Sequence, residues 1–212
     1  MTPTKIGLLL LAAGASRRMG TPKQLLSIQG TSLIRHLVKI SIASTCDPVV
    51  VVLGANAHQI RTEIEDLPIQ IVDNPQWRSG MGTTVSTGLA ALLEWEPGLN
   101  AVLILVCDQP FVSTSLIDRL VVAYQSECHQ IVATSYSETV GVPALFSDRY
   151  FAELLQLNAD TGARRIIQQH LPETYTIDFP QGAIDLDTPD EYQAFLDFSG
   201  AIDLSTFRLS PN

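Results

Sequence analysis

The residues best placed to do chemistry lie near the start of the chain. Arg17, Arg18 and Lys23 follow a run with nothing larger than serine, Ala12-Ala13-Gly14-Ala15-Ser16. Small side chains let backbone N–H groups approach a ligand closely. Gly20 and Pro22 fix the path that aims Lys23. Upstream, Leu8-Leu9-Leu10-Leu11 is continuously apolar, the pattern of a strand buried on both faces. A strand, a bare turn and fixed cations make an anion cradle sized for a polyphosphate. Spacing excludes two commoner phosphate loops. A Walker loop has four residues between its glycines and then Gly-Lys-Ser/Thr, whereas five separate Gly14 from Gly20 and Thr-Pro-Lys follows. A dinucleotide turn needs Gly-x-Gly-x-x-Gly, and Gly14 has no such partners.

Carboxylates come next. Asp108 closes the apolar run Leu103-Ile104-Leu105-Val106-Cys107. At the carboxyl end of a central strand it could hold a metal over a crevice; an aspartate in a turn before Pro110 is the plainer alternative. Asp185 and Asp187 alternate with Ile184 and Leu186, which puts them on one face of a strand expected over 183–187. Thr188 and Pro189 also read as a helix start. In the segment 74–85, Gly80 and Gly82 would let backbone pass close to a flat ring, and Thr83 or Thr84 can cap a helix or bond a base. His36, His58, His129 and His170 show no ligand spacing, and no Gly-x-Ser-x-Gly elbow points to covalent catalysis.

Leu11-Ala12-Ala13-Gly14-x-Ser16-x-Arg18-Met19-Gly20-x-Pro22-Lys23 closely resembles the signature of nucleotidyltransferases that use an NTP to make a nucleotide-capped product. Within the MobA-like NTP transferase family, it is most similar to the molybdenum cofactor (molybdopterin) cytidylyltransferases. The guanylyl branch usually has two glycines in this turn. The resemblance runs from about Lys5 to Phe198. It implies a three-layer α/β/α, Rossmann-like nucleotidyltransferase fold with a mostly parallel mixed sheet. It also implies Mg²⁺, held by Asp108 in Cys107-Asp108-Gln109-Pro110 and by Asp187 in Asp187-Thr188-Pro189. Arg18, Lys23 and Asp108 would be catalytic. Leu11, Ala12, Ala13, Gly14, Ala15, Ser16, Gly54, Gly80 and Thr83 would join Arg18 and Lys23 around the nucleotide. Pro143 in Gly141-Val142-Pro143-Ala144, and Asp160, Gly162 and Arg164 in Asp160-Thr161-Gly162-Ala163-Arg164, would face the acceptor. Ala159 stands where the family has glycine. The implied substrates are CTP or another NTP and molybdopterin, with a client molybdoenzyme as a further partner. A sugar-1-phosphate acceptor, GTP as donor, and a non-catalytic nucleotide- or cofactor-binding chaperone are the competing readings.

These residues need a scaffold. At 212 residues the chain can bury one sizeable core, expected over 1–198 with a tail over 199–212. Strands are expected at 6–13, 48–53, 68–74, 101–107, 130–136, 141–146, 174–179 and 183–187. Helices are expected at 32–44, 58–67, 83–95, 115–125, 148–157, 161–171 and 189–198. Alternating strands and helices imply right-handed crossovers, with strand ends sharing one crevice. Pro143 marks its strand as an edge or a bulged one. No apolar run approaches the ~20 residues of a membrane helix, and the run 6–13 does not read as a signal peptide. Cys46, Cys107 and Cys128 lack metal spacing and fit reduced thiols in the cytoplasm. The net charge of −9 is uneven: residues 1–46 hold six cations and no acid. A carboxylate-free segment suits phosphates, while the acidic whole argues against nucleic acid.

Overall fold

The computed structural model describes residues 4–127, 129–158 and 161–201. Its first strand, β1 (Ile6–Ala12), is buried at every position, as a continuous apolar run requires. The chain then forms a small hairpin, β2 (Ser27–Ile28) with β3 (Thr31–Ser32), and α1 (Leu33–Ile42). Ser32 caps α1 by accepting from the Arg35 N–H. There follow β4 (Val49–Leu53), α2 (Ala57–Arg61), β5 (Gln70–Asp73), α3 (Met81–Trp95) and β6 (Ala101–Val106). The second half carries α4 (Thr114–Glu127), β7 (Ile131–Tyr136), β8 (Thr139–Ser147), α5 (Phe151–Leu155), α6 (Ala163–Gln169), β9 (Thr174–Asp178) and α7 (Pro189–Ala201).

Seven strands form one sheet in the order β5-β4-β1-β6-β8-β7-β9. β8 runs antiparallel to both its neighbours; every other pairing in this sheet is parallel. Period-2 alternation along β1 splits the core into two layers. Leu8 and Leu10 pack with Leu37 of α1, Ile60 of α2, Ile117 of α4 and Phe195 of α7. Leu9 and Leu11 pack with Leu89 of α3, Leu154 of α5 and Ile167 of α6. The fold is therefore a three-layer α/β/α sandwich. From β1 the sheet grows outward through β4 and β5, then resumes on the other side with β6. This reversal between β1 and β6 is where an open α/β sheet forms its crevice.

Four expectations are corrected. The helix expected over 58–67 stops at Arg61. Beyond it the chain tightens into i→i+3 turns, with Ile64 N–H on Arg61 O, and Arg35 Nη1 takes the Glu63 carbonyl at 2.6 Å. The helix expected over 148–157 is a 3₁₀ turn followed by the short α5, and the Ser147 hydroxyl before it bonds Gln130. No strand forms over 183–187: a 3₁₀ turn (Pro180–Ala183) leads into irregular chain, and the Leu186 N–H bonds Asp108 O rather than a ladder. The helix α7 runs to Ala201, three residues into the expected tail. Residues 202–212 of that tail, with Asp160, Ala159 and Cys128, lie outside the described residues.

Candidate active site

The loop after β1 is shaped from below. Gln24, 1% exposed, donates through Nε2 to Ala12 O (3.0 Å) and Gly14 O (2.9 Å). Ser16 takes a left-handed backbone (φ 51°), and its Oγ accepts from the Lys23 N–H at 3.0 Å. The loop thus folds back on the turn that launches Lys23. A Cβ at Gly14 would meet nothing within 4 Å, so its face is open to a ligand.

Two further segments close in on this loop. Asn74, 1% exposed, donates from Nδ2 to the hydroxyls of Thr83 and Thr84, and its Oδ1 accepts from the Gln76 N–H. That network fixes the first turn of α3 and the Gly80 bend before it, where φ of 121° favours glycine. From the other side, Thr188 and Glu191 form a reciprocal capping box at the start of α7. Glu191 also takes the Asp187 N–H at 2.9 Å, and so holds Asp187 over the crevice.

The result is a cleft of about 210 Å³ between β1 and β6. Leu11, Ala12, Ala13, Gly14, Lys23, Gly80 and Asp108 line it, with Gln24, Trp77, Met81 and Thr84. At its mouth Lys23 Nζ donates to Asp108 Oδ2 at 2.8 Å and to Asp187 Oδ1 at 2.7 Å. Arg18 Nη2 donates to the other oxygen of Asp187. Burial alone would lower the Lys23 pKa, but the two carboxylates outweigh it and raise it. Burial likewise works against the Asp187 carboxylate, yet Lys23 and Arg18 bring its pKa below the ordinary range. Asp185 has no such partner among the described residues. Desolvation, then the charges of Asp108 and Asp187, push it up to about 6. Its outer surface is open to water, so the neighbouring carboxylates are the more durable cause.

The remaining sequence-derived residues fall in two places. Ala15 does not line the cleft. Gly54 and Thr83 sit one layer behind it. A Cβ at Gly54 would come within 2.6 Å of Trp77 Cβ and 2.8 Å of Ala13 O, and the Thr83 hydroxyl faces Asn74 and the Gly80 carbonyl. Thr84 takes the lining position instead. Pro143 and Arg164 lie toward β8, outside the cleft lining. Arg164 Nη2 donates to Thr139 Oγ1 at 3.2 Å, and Gly162 opens α6 against Met81. Gln24, Gln109 and Tyr136 also shape the site, although nothing in their sequence neighbourhood marks them, and Trp77 of the 74–85 segment lines the cleft. Gln109, 2% exposed, donates from Nε2 to Val142 O (3.2 Å) and Gly182 O (3.1 Å), tying the Asp108 turn to β8 and to the approach to Asp187. Tyr136 bonds Val142 O, and the hydrogen side chains of Gly141 and Gly182 make room for it.

Two carboxylate oxygens already converge on one cation, the Lys23 ammonium, so the donor set fits a hard divalent ion. Among the described residues no group of three or more His, Cys, Asp or Glu could hold a metal. Two carboxylates completed by phosphate oxygens and water is the usual manner of magnesium.

A doubly wound sheet with a small-residue cradle at its switch point and two carboxylates facing it defines a nucleotidyltransferase site. Residues 8–174 match the MobA-like NTP transferase domain, and the chain belongs to that family of divalent-metal-dependent nucleotidyltransferases. Nicotine blue oxidoreductase of Paenarthrobacter nicotinovorans is 38% identical over 117 residues, 55% of each chain. The chain thus spans about half the length of that relative. Purine catabolism protein PucB of Bacillus subtilis is 29% identical over 90% of this chain and 95% of its own. A molybdenum cofactor guanylyltransferase of Shewanella sp. is 22% identical over 90% and 95%. The crystal structure of Rv0371c from Mycobacterium tuberculosis superposes with a TM-score of 0.78 at 26% identity, covering 92% of this chain and 100% of that one. A second structure of Rv0371c, in complex with manganese, has a TM-score of 0.69 at 23% identity and covers 92% and 99%. No described helix is long and apolar enough to cross a membrane.

Proposed function

We propose that the chain transfers CMP from CTP to the phosphate of molybdopterin and releases pyrophosphate, with Mg²⁺ as the divalent ion. The single observation that carries the reaction class is the junction of the small-residue cradle with Lys23, Asp108 and Asp187 at one cleft mouth. An acceptor phosphate oxygen attacks the α-phosphorus, a new P–O bond forms, and the bond to the β-phosphate oxygen breaks. A phosphate is already ionised at neutral pH, so no strong base is required. Such a displacement depends on positioning and charge neutralisation. The N–H groups from Ala13 to Ser16 cradle phosphate oxygens. Lys23 and Arg18 offset the charge that builds on the leaving pyrophosphate. Asp108 and Asp187 would hold the Mg²⁺, which when bound would polarise the phosphate under attack. Trp77, Gly80 and Thr84 form the wall for the base. Gln109, Tyr136, Pro143 and Arg164 define the acceptor side.

The choice of CTP is supported by the resemblance of Leu11-Ala12-Ala13-Gly14, with its single glycine, to the cytidylyl branch; the guanylyl turn usually has two. Molybdopterin is supported by the guanylyltransferase relative, whose name places it in molybdenum cofactor synthesis. The oxidoreductase name belongs to another chain that this one matches over 55% of its length, and the Gly14 turn lacks dinucleotide spacing.

Pyrophosphate release with CTP, GTP, ATP or UTP, Mg²⁺ and molybdopterin tests this. Release with CTP alone is expected. Release with GTP moves the chain to the guanylyl branch, and release only with a sugar phosphate replaces the acceptor. Nucleotide binding with no release makes it a carrier. In the same assay Asp108→Asn should lose at least about a hundredfold in rate while staying folded; near-wild-type turnover would remove Asp108 from the reaction.

A further inference from the structure

Lys23 touches two carboxylates, and they are the pair assigned to the divalent ion. Its Nζ lies 2.7–2.8 Å from one oxygen of Asp108 and one of Asp187, and its side chain is 13% exposed. Asp108 and Asp187 come from distant parts of the chain, and converging negative charges repel. The ammonium offsets that repulsion. A divalent ion held by the same two oxygens would compete with it, because two cations cannot share one pair of oxygens without strong repulsion.

We propose that Lys23 is a tethered counter-ion for the metal carboxylates. It keeps Asp108 and Asp187 converged and denies them to a free divalent ion. It gives way when the phosphates of a nucleotide offer its ammonium a stronger partner. This rests on the nucleotidyl-transfer reading of the site.

Three features support the exchange. The Lys23 backbone is fixed, with its N–H on Ser16 Oγ and the neighbouring Gln24 anchored to Ala12 and Gly14, so only the flexible stem has to move. A triphosphate carries more negative charge than two carboxylates, and it is cradled in the same cleft that Lys23 lines. Two carboxylates alone leave most of a magnesium shell unfilled, so the ion gains from arriving with phosphate oxygens. Metal and nucleotide are then positively coupled: each raises the affinity for the other by the same factor.

The test is Mn²⁺ binding to the full chain, read as loss of the free-ion electron paramagnetic resonance signal. Wild type is compared with Lys23→Met, which keeps the stem and removes the charge. Without nucleotide, Lys23→Met should bind Mn²⁺ about tenfold more tightly than wild type, the scale of losing two partly exposed ion pairs. Adding Asp108→Asn to Lys23→Met should abolish the gain. A non-hydrolysable CTP analogue should tighten Mn²⁺ binding to wild type by a larger factor than to Lys23→Met, where phosphate oxygens still join the shell but no counter-ion is left to release. Damage to the site lowers affinity, and a gain that depends on Asp108 separates competition for its carboxylate from the general loss of a nearby positive charge. A folded Lys23→Met protein with Mn²⁺ affinity no higher than wild type overturns the proposal. So does a gain that survives Asp108→Asn. If wild type takes up no nucleotide under any condition, the functional reading fails, while the comparison without nucleotide still decides the competition.

Discussion

Replacing Gln24 with methionine keeps its length and removes the amide. The side chain is 1% exposed, and its Nε2 supplies hydrogen bonds to Ala12 O and Gly14 O, at the root and the middle of the cradle. Each such bond contributes about 1 kcal/mol net, and a carbonyl left buried without a donor costs about 1 kcal/mol more. Gly14 O lies nearer the surface and recovers part of its loss from water. The expected destabilisation is therefore roughly 2–3 kcal/mol. With a urea slope of about 2 kcal/mol/M, the midpoint should fall by about 1 M. The same bonds hold the N–H groups that would face phosphate. Affinity for a CTP analogue, followed through Trp77 fluorescence quenching, should drop at least about tenfold, or 1.4 kcal/mol. A midpoint shift under about 0.2 M together with unchanged affinity would refute the view that Gln24 shapes the loop.

Two other outcomes follow from the packing and charges described above. Gly54→Ala should weaken nucleotide binding although Gly54 does not face the cleft. Its Cβ would lie 2.6 Å from Trp77 Cβ and 2.8 Å from Ala13 O, so one wall or the other must move; isothermal titration with the analogue, showing wild-type affinity, would contradict this. His170 sits between Glu153 and Glu173, with the Tyr150 ring against it. Desolvation works against its charged form, but the two carboxylates raise its pKa above 6.5, and the Glu173 pKa falls below 4.5. A raised histidine pKa adds stability that is full below 6.5 and lost as pH climbs through the folded value. The lowered Glu173 pKa adds stability that is lost on acidification below 4.5. Wild type should thus exceed His170→Gln in denaturation midpoint most between about pH 4.5 and 6.5, with the gap closing above; a gap that is flat with pH would refute the pairing.

The parallel half of the sheet was legible because its signals are local. The apolar run at 6–13, the Val-rich 48–53 and the run at 101–107 announce buried strands, and β6 takes the fourth place of seven. Pro143 indicated a bulge or an edge. The bulge is there, with Ala133 opposite Ala144 and Thr134 opposite Gly141, but β8 is interior. The offset spares Pro143 from the ladder and frees the Val142 carbonyl for Gln109 and Tyr136. The alternation at 183–187 misled, because its hydrogen-bond partner, Asp108 O, is a loop atom. Lys23 and Asp108 stand out by type and spacing, whereas the choice of Asp187 over Asp185 rests on the resemblance carried by Asp187-Thr188-Pro189. Gln24 could not, because its carbonyls lie 10 and 12 residues back and nothing in Lys-Gln-Leu-Leu says that the amide turns inward. Thr83 and Thr84 are indistinguishable in sequence, and Asn74 bonds both hydroxyls; only the cleft lining separates them, by taking Thr84.

The antiparallel junction of β6 with β8 has one more implication. The two strands pair from Ala101 to Ile104 and no further, although β6 continues to Val106 beside β1. The sheet is therefore unzipped over its last residues before Asp108, and the amide of Gln109 bridges the fork. Loops beyond the fork carry no β6–β8 ladder bond, so their sequence can change without loosening the pairing of β6 with β1.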